Sequence, residues 1–108
     1  MPIIKEKITQ DKLRELTNGA DMLKLVVDVE KGILSVGCEL HSDCAEELLN
    51  DGSVAKNIWG ANIHLKDLGI DFISLINIRP ADGNRSMDIQ NQEIRKKAEA
   101  VIKKLLFQ

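Results

Sequence analysis

The sequence predicts an α+β domain: an antiparallel sheet of about four strands in two hairpins, with flanking helices, in the order (β)αββαββα. Three observations predict it. Segments of period-two alternation are joined by short turns, which suit antiparallel hairpins and are too short for parallel crossovers. Helix-period stripes with capping residues fall between the hairpins, not between single strands. The chain has 108 residues, 44% of them apolar. That is enough for one core, so residues 1–108 are read as a single domain.

Ile3 to Ile8 alternates weakly and reads as a short edge strand. Thr9 is placed to cap a helix with Asp11 in its first turn and Leu13 and Leu16 as its apolar stripe. Asn18-Gly19 stops it. Leu23, Leu25, Val27 and Val29 alternate with Lys24, Val26 and Asp28, which is a strand pattern. Glu30-Lys31-Gly32 turns the chain, and Ile33 to Leu40 returns with Leu34, Val36, Cys38 and Leu40 on one face. Ser42 or Asp43 is placed to cap the next helix. Glu46 follows Asp43 at capping-box spacing, and Asp51-Gly52 ends the helix after Leu48 and Leu49. Asn57 to Leu65 alternates, with Trp59, Ala61, Ile63 and Leu65 on one face and Trp59 assigned to the core. Asp67 to Ile70 reads as a turn. Phe72 to Arg79 is apolar on both faces near its middle and reads as a central strand closed by Pro80. Ala81 to Gln90 is a polar loop. Asn91 caps the last helix, whose stripe is Ile94, Ala98, Val101, Ile102 and Leu105. Glu93 lies at its positive end, Lys103 and Lys104 at its negative end.

Composition excludes several classes of partner. A net charge of -2, from 15 basic and 17 acidic residues, offers no electrostatic reason to bind nucleic acid or an anionic membrane. Aromatic residues make up 3%, too few for base-stacking platforms. No apolar run approaches a membrane span, and the opening Met-Pro-Ile-Ile-Lys-Glu-Lys is charged where a signal peptide is apolar. A cytoplasmic location is therefore expected. In that compartment Cys38 and Cys44, one on a strand and one at a helix start, are expected to be free thiols. Cys44 near a helix N-terminus with His41 close by has the setting of an activated thiol; a small buried helix cysteine is the other reading. Cys38, His41, Cys44 and His64 lack metal-ligand spacing, so no metal and no cofactor are expected.

The candidate site comes from the polar side of the strands. Ser35, Gly37 and Glu39 oppose the apolar set of their strand, and His41 extends them. Gly60, Asn62 and His64 do the same on theirs, and Asn77 and Arg79 share a face further on. If these faces coincide, small residues open a concavity ringed by polar groups, floored by Gly37 or Gly60. The alternative is an outer sheet face that is simply wet. The loop Asp82-Gly83-Asn84-Arg85-Ser86 adds donors and a guanidinium suited to an anion, or else groups that tie the loop's own backbone. The candidate ligand-binding residues are Glu39, His41, Asn62, Asn77, Arg79, Asn84, Arg85 and Ser86. Arg79 and Arg85 are expected to approach Glu39 or His41, either of which could serve as an acid or base.

The runs Gly37-Cys38-Glu39-Leu40-His41, Asp51-Gly52-Ser53, Asn57-Ile58-Trp59-Gly60-Ala61-Asn62, Ser74-Leu75-Ile76-Asn77-Ile78-Arg79-Pro80 and Gly83-Asn84-Arg85-Ser86 carry a resemblance. The chain resembles a family of small uncharacterised prokaryotic proteins, a domain of unknown function, over nearly its whole length. The resemblance implies a free-standing single-domain protein and transfers no catalytic residue. The residues themselves point to a small-molecule or anion-binding protein. The alternatives are an interaction module, regulatory or antitoxin-like, and a purely structural homodimer. The first needs a cavity lined by these side chains, the others a flat apolar patch.

Overall fold

The alternation in the two hairpins builds one antiparallel sheet of five strands in the order β1-β3-β2-β4-β5. The computed structural model describes residues 2–108. Its strands are β1 (Ile3–Ile4), β2 (Met22–Asp28), β3 (Ile33–Val36), β4 (Ile58–His64) and β5 (Gly69–Asp71). Its helices are α1 (Gln10–Thr17), α2 (His41–Asn50) and α3 (Gln92–Leu106). The element order is thus βαββαββα, in the α+β class.

Period two divides the sheet into two faces with different coverings. Leu23, Leu25 and Val27 of β2, Leu34 and Val36 of β3, and Trp59, Ala61 and Ile63 of β4 share one cluster with Leu13 of α1 and Ala98, Ile102, Leu105 and Leu106 of α3. Fully burying a side chain such as Ile102 is worth roughly 1.5–3 kcal/mol, against at most about 0.7 kcal/mol per residue for helix propensity. Packing therefore decides where α3 lies. The opposite face carries Val26, Ile33 and Ile58 and is covered by Cys44 and Leu48 of α2. Helix ends follow the capping residues. Thr9 accepts from the Lys12 N–H, Asn18 closes α1 in the left-handed region, and Asn91 accepts from the Glu93 and Ile94 N–H groups.

Four expectations for residues 33–50 are corrected. The return strand ends at Val36, not Leu40, because Gly37 takes a φ of 81°. That turn carries Cys38 off the face of Leu34 and Val36 and into the cluster on the α2 side. There it meets Cys44 in the first turn of α2, and the two sulfurs are bonded. The cysteines are not free thiols in this structure. The start of α2 also differs: its cap is Leu40, which has no side-chain oxygen, and Asp43 lies inside the first turn.

The largest correction concerns Phe72 to Arg79. This run is not a central strand. The second hairpin closes with β5 at Gly69–Asp71, and the chain then leaves the sheet through a 3₁₀ turn at Leu75–Asn77. Phe72 is buried in the main core, but Ile73, Leu75 and Ile78 are exposed. Density of apolar residues was mistaken for burial on two faces. Ser74 accepts from the Ile76 N–H and so starts the turn.

Candidate functional site

The α2 face of the sheet is only half covered, and the uncovered half is a cleft. Ladder register builds its floor. Lys24 on β2 pairs with Asn62 on β4, and Asn62 pairs with Asp71 on β5. Three polar side chains therefore stand in one row across three strands, with about 5 Å between neighbouring positions. The start of α2 forms one wall, with Leu40, His41 and Ser42. Ile73 to Ile76, with Met22 and Met87, form the rest, enclosing about 690 Å³. That volume is in the range of small-molecule sites.

The row has a defined polarity. The Lys24 ammonium donates to the Glu39 carbonyl, just ahead of α2. The first turn of α2, which begins two residues later, has no side-chain cap, and of its leading N–H groups that of Asp43 bonds the Leu40 carbonyl. At the other end, Asp71 accepts from Asn62 Nδ2, from the Ile73 N–H and from His64. Burial pushes the Asp71 carboxyl up, but these donors overcome it and hold it below its ordinary value. Asp71 is therefore an anion at neutral pH.

Asn62 stands between the two charges and is 4% exposed. Its Nδ2 donates to Asp71 and to the Ile73 carbonyl at 2.9 Å, two acceptors that fix which way the amide points. The Oδ1 atom is buried and has no hydrogen-bond partner. Such an atom costs about 1–3 kcal/mol unless something donates to it. The His41 ring lies alongside, its Nε2 at 3.0 Å from the Ala61 carbonyl. A carbonyl only accepts, so Nε2 carries the proton. Burial lowers the His41 pKa, and the Lys24 charge adds to this. The Ala61 carbonyl, Asn62 and Asp71 pull the other way without reversing it. His41 is a neutral imidazole at pH 7.

Of the eight residues singled out from the sequence, His41 and Asn62 line this cleft. The other six lie elsewhere. Asn77 is fully buried. Its Oδ1 accepts from the Gly60 N–H, and its Nδ2 donates to the carbonyls of Gly60, Phe72 and Met87. Asn84 Nδ2 donates to the carbonyls of Asn77, Ser86 and Asp88, and its Oδ1 accepts from the Gln90 N–H. Ser86 accepts from the Asp88 N–H. Asn84 and Ser86 tie the segment to itself, and Asn77 ties it to β4. Arg79 donates to the Ala55 and Ile58 carbonyls and lies over the Trp59 ring, 3.7 Å from its centroid. The Arg85 and Glu39 side chains are exposed and make no hydrogen bond or ion pair among the described residues. Neither glycine floors the cleft. A Cβ on Gly60 would stand 2.5 Å from Ser74 Cβ and Oγ, so its bareness lets the 3₁₀ turn pack on β4.

Sequence reading missed Lys24, Asp71, Met22, Leu75 and Met87. The signal for Lys24 was present: it is the charged residue on the non-core parity of β2, in phase with Asn62. Asp71 could not be found while its segment was read as a turn followed by a central strand.

A family model described as protein of unknown function (DUF5674) matches residues 2–105. The chain belongs to that family. Comparison with curated proteins and with solved structures finds no match.

Proposed function

We propose, for a member of a family whose description assigns no activity, that the cleft between the start of α2 and β5 is a small-molecule binding site. Its ligand has an apolar body and a polar, anion-bearing end. The observation that carries this reading is the row Lys24, Asn62 and Asp71, which the ladder register sets across the floor of an open cleft. Met22, Leu75 and Met87 offer apolar surface at its mouth, and Lys24 with the uncapped helix start offers a place for negative charge. The anion readings made for Arg79 and Arg85 move to these groups.

The probe is 8-anilinonaphthalene-1-sulfonate, an apolar anion. We expect saturable one-to-one binding, with amide NMR shifts confined to the neighbourhoods of Lys24, His41, Asn62 and Leu75. Unsaturable binding, or shifts centred on Arg85, would overturn the reading.

One observation favours a second reading. Leu75 is 73% and Leu40 60% exposed, and they share the rim with Ile73. A rim of this kind also suits a protein partner or a second copy of the chain. Sedimentation velocity at increasing concentration separates the two, since a small-molecule receptor stays monomeric. A cytoplasmic location is also part of the proposal. Cell fractionation tests it: the protein is expected with the cytosolic fraction, and recovery outside that fraction overturns the proposal.

A further inference from the structure

We infer that the ligand of the cleft is a bulky apolar zwitterion, an α-amino acid with a large apolar or aromatic side chain. The inference rests on the reading of the cleft as a small-molecule site and names its ligand class.

The ladder register places a cation, an amide and a carboxylate in one row: Lys24, Asn62, Asp71. A ligand with one charge would meet its own sign at one end of that row. A zwitterion matches both ends. Its carboxylate takes the Lys24 ammonium and the uncapped first turn of α2. Its ammonium stands beside the ionised Asp71, at the far end of the row. The His41 ring reaches from the first residue of α2 to the carbonyl next to Asn62, so the helix start approaches the middle of the row, one ladder step of about 5 Å from the Asp71 position. That span suits charges carried on adjacent carbons of one small molecule.

The rest of the cleft selects for bulk. A volume of about 690 Å³ exceeds the needs of a bare amino-acid backbone. Met22 and Met87 line it, and methionine sulfur packs adaptably against aromatic rings. Neutral His41 adds no charge to disturb the row.

The test compares L-phenylalanine with two analogues that each lack one charged end, 3-phenylpropanoate without the ammonium and 2-phenylethylamine without the carboxylate. Binding is read by calorimetry and by the Asn62 side-chain amide resonance. We expect L-phenylalanine to bind about tenfold tighter than either analogue, the scale of one charge-assisted hydrogen bond. Lys24→Met should erase its advantage over 2-phenylethylamine. Asp71→Asn, which keeps an oxygen acceptor, should erase its advantage over 3-phenylpropanoate. Circular dichroism confirms that each variant is folded, and Lys24, half-buried with its ammonium bonded only to the Glu39 carbonyl, gives a variant that folds if Asp71→Asn does not. Equal binding of all three compounds would overturn the inference. So would no binding of L-phenylalanine alongside retained binding of anilinonaphthalenesulfonate, which leaves the cleft reading standing. Failure of both probes removes the cleft reading as well.

Discussion

Between Met22 and His64 the buried backbone is satisfied mainly by other backbone, strand against strand and within α2. Between Phe72 and Gln90 it is satisfied largely by side chains. That segment has one isolated bridge, Arg79 with Asn84, and short turns at Leu75–Asn77 and Pro80–Asp82. Two amides do the work of missing strands. Asn77 bonds one N–H and three carbonyls, and Asn84 bonds three carbonyls and one N–H. The first region spreads its polar satisfaction over many equivalent bonds. The second concentrates it in two residues, so single substitutions there should be far more damaging.

The sharpest way to break this contrast is Asn77→Ala. It leaves the Gly60 N–H and three carbonyls short of a partner, and should cost about 3 kcal/mol or more in urea unfolding. A loss below about 1 kcal/mol would mean that water replaces the amide and the contrast fails. Next comes Gly60→Ala, where the new methyl meets Ser74 and should cost about 1–3 kcal/mol. Pairing it with Ser74→Gly should recover part of that loss, and strict additivity would show that the clash is not where the structure puts it. At α3, a regular element outside both regions, Asn91→Ala removes one helix cap and should cost only about 1 kcal/mol.

Acid separates the regions in another way. His41 has a folded pKa below its unfolded value, so the unfolded chain binds more protons as pH falls through that interval. Its contribution to stability is complete above the unfolded pKa of about 6.5 and is lost as pH falls toward the folded pKa. Urea midpoints at pH 7.5 and pH 5 should therefore differ less in His41→Gln than in the unaltered protein. Asp71 is depressed in the same direction, so its contribution disappears only at lower pH, through the carboxylate range. The smallest expected effect is Arg85→Ala, which removes an exposed side chain without a partner and should change stability by less than about 0.5 kcal/mol.

The same contrast explains what could be read in the sequence. The alternation of Leu23 to Val29, the caps Thr9 and Asn91 and the stop at Asn18 are local signals, and each appears where it was expected. The run from Phe72 to Arg79 misled because its organising residue is Asn77. The partners of Asn77 lie as far away as Gly60 and Met87, and no periodicity announces them. The site behaved similarly. Parity placed Asn62 and His64 on a shared polar face, and that face exists. Which part of it stays open depends on where α2 and the 3₁₀ turn land. Spacing does not encode that landing, so it does not reveal Lys24 and Asp71 and does not separate ligand groups from Asn77 and Asn84, whose amides bond the backbone. The cysteine pair depended on a single backbone angle, the positive φ of Gly37, which moved Cys38 to the other side of the sheet.

The outermost strands have a consequence for assembly. β1 contributes two residues and β5 three. An edge needs a longer row of unpaired N–H and C=O groups to template a neighbouring chain. Pro2 precedes β1, and Leu68, with a φ of 58°, bends the chain immediately before β5. The long, β-branched strands that would stack most readily, β2 and β4, are held in the interior of the sheet. Edge-to-edge growth into fibrils therefore has almost no margin from which to start, and recognition by strand addition meets the same barrier.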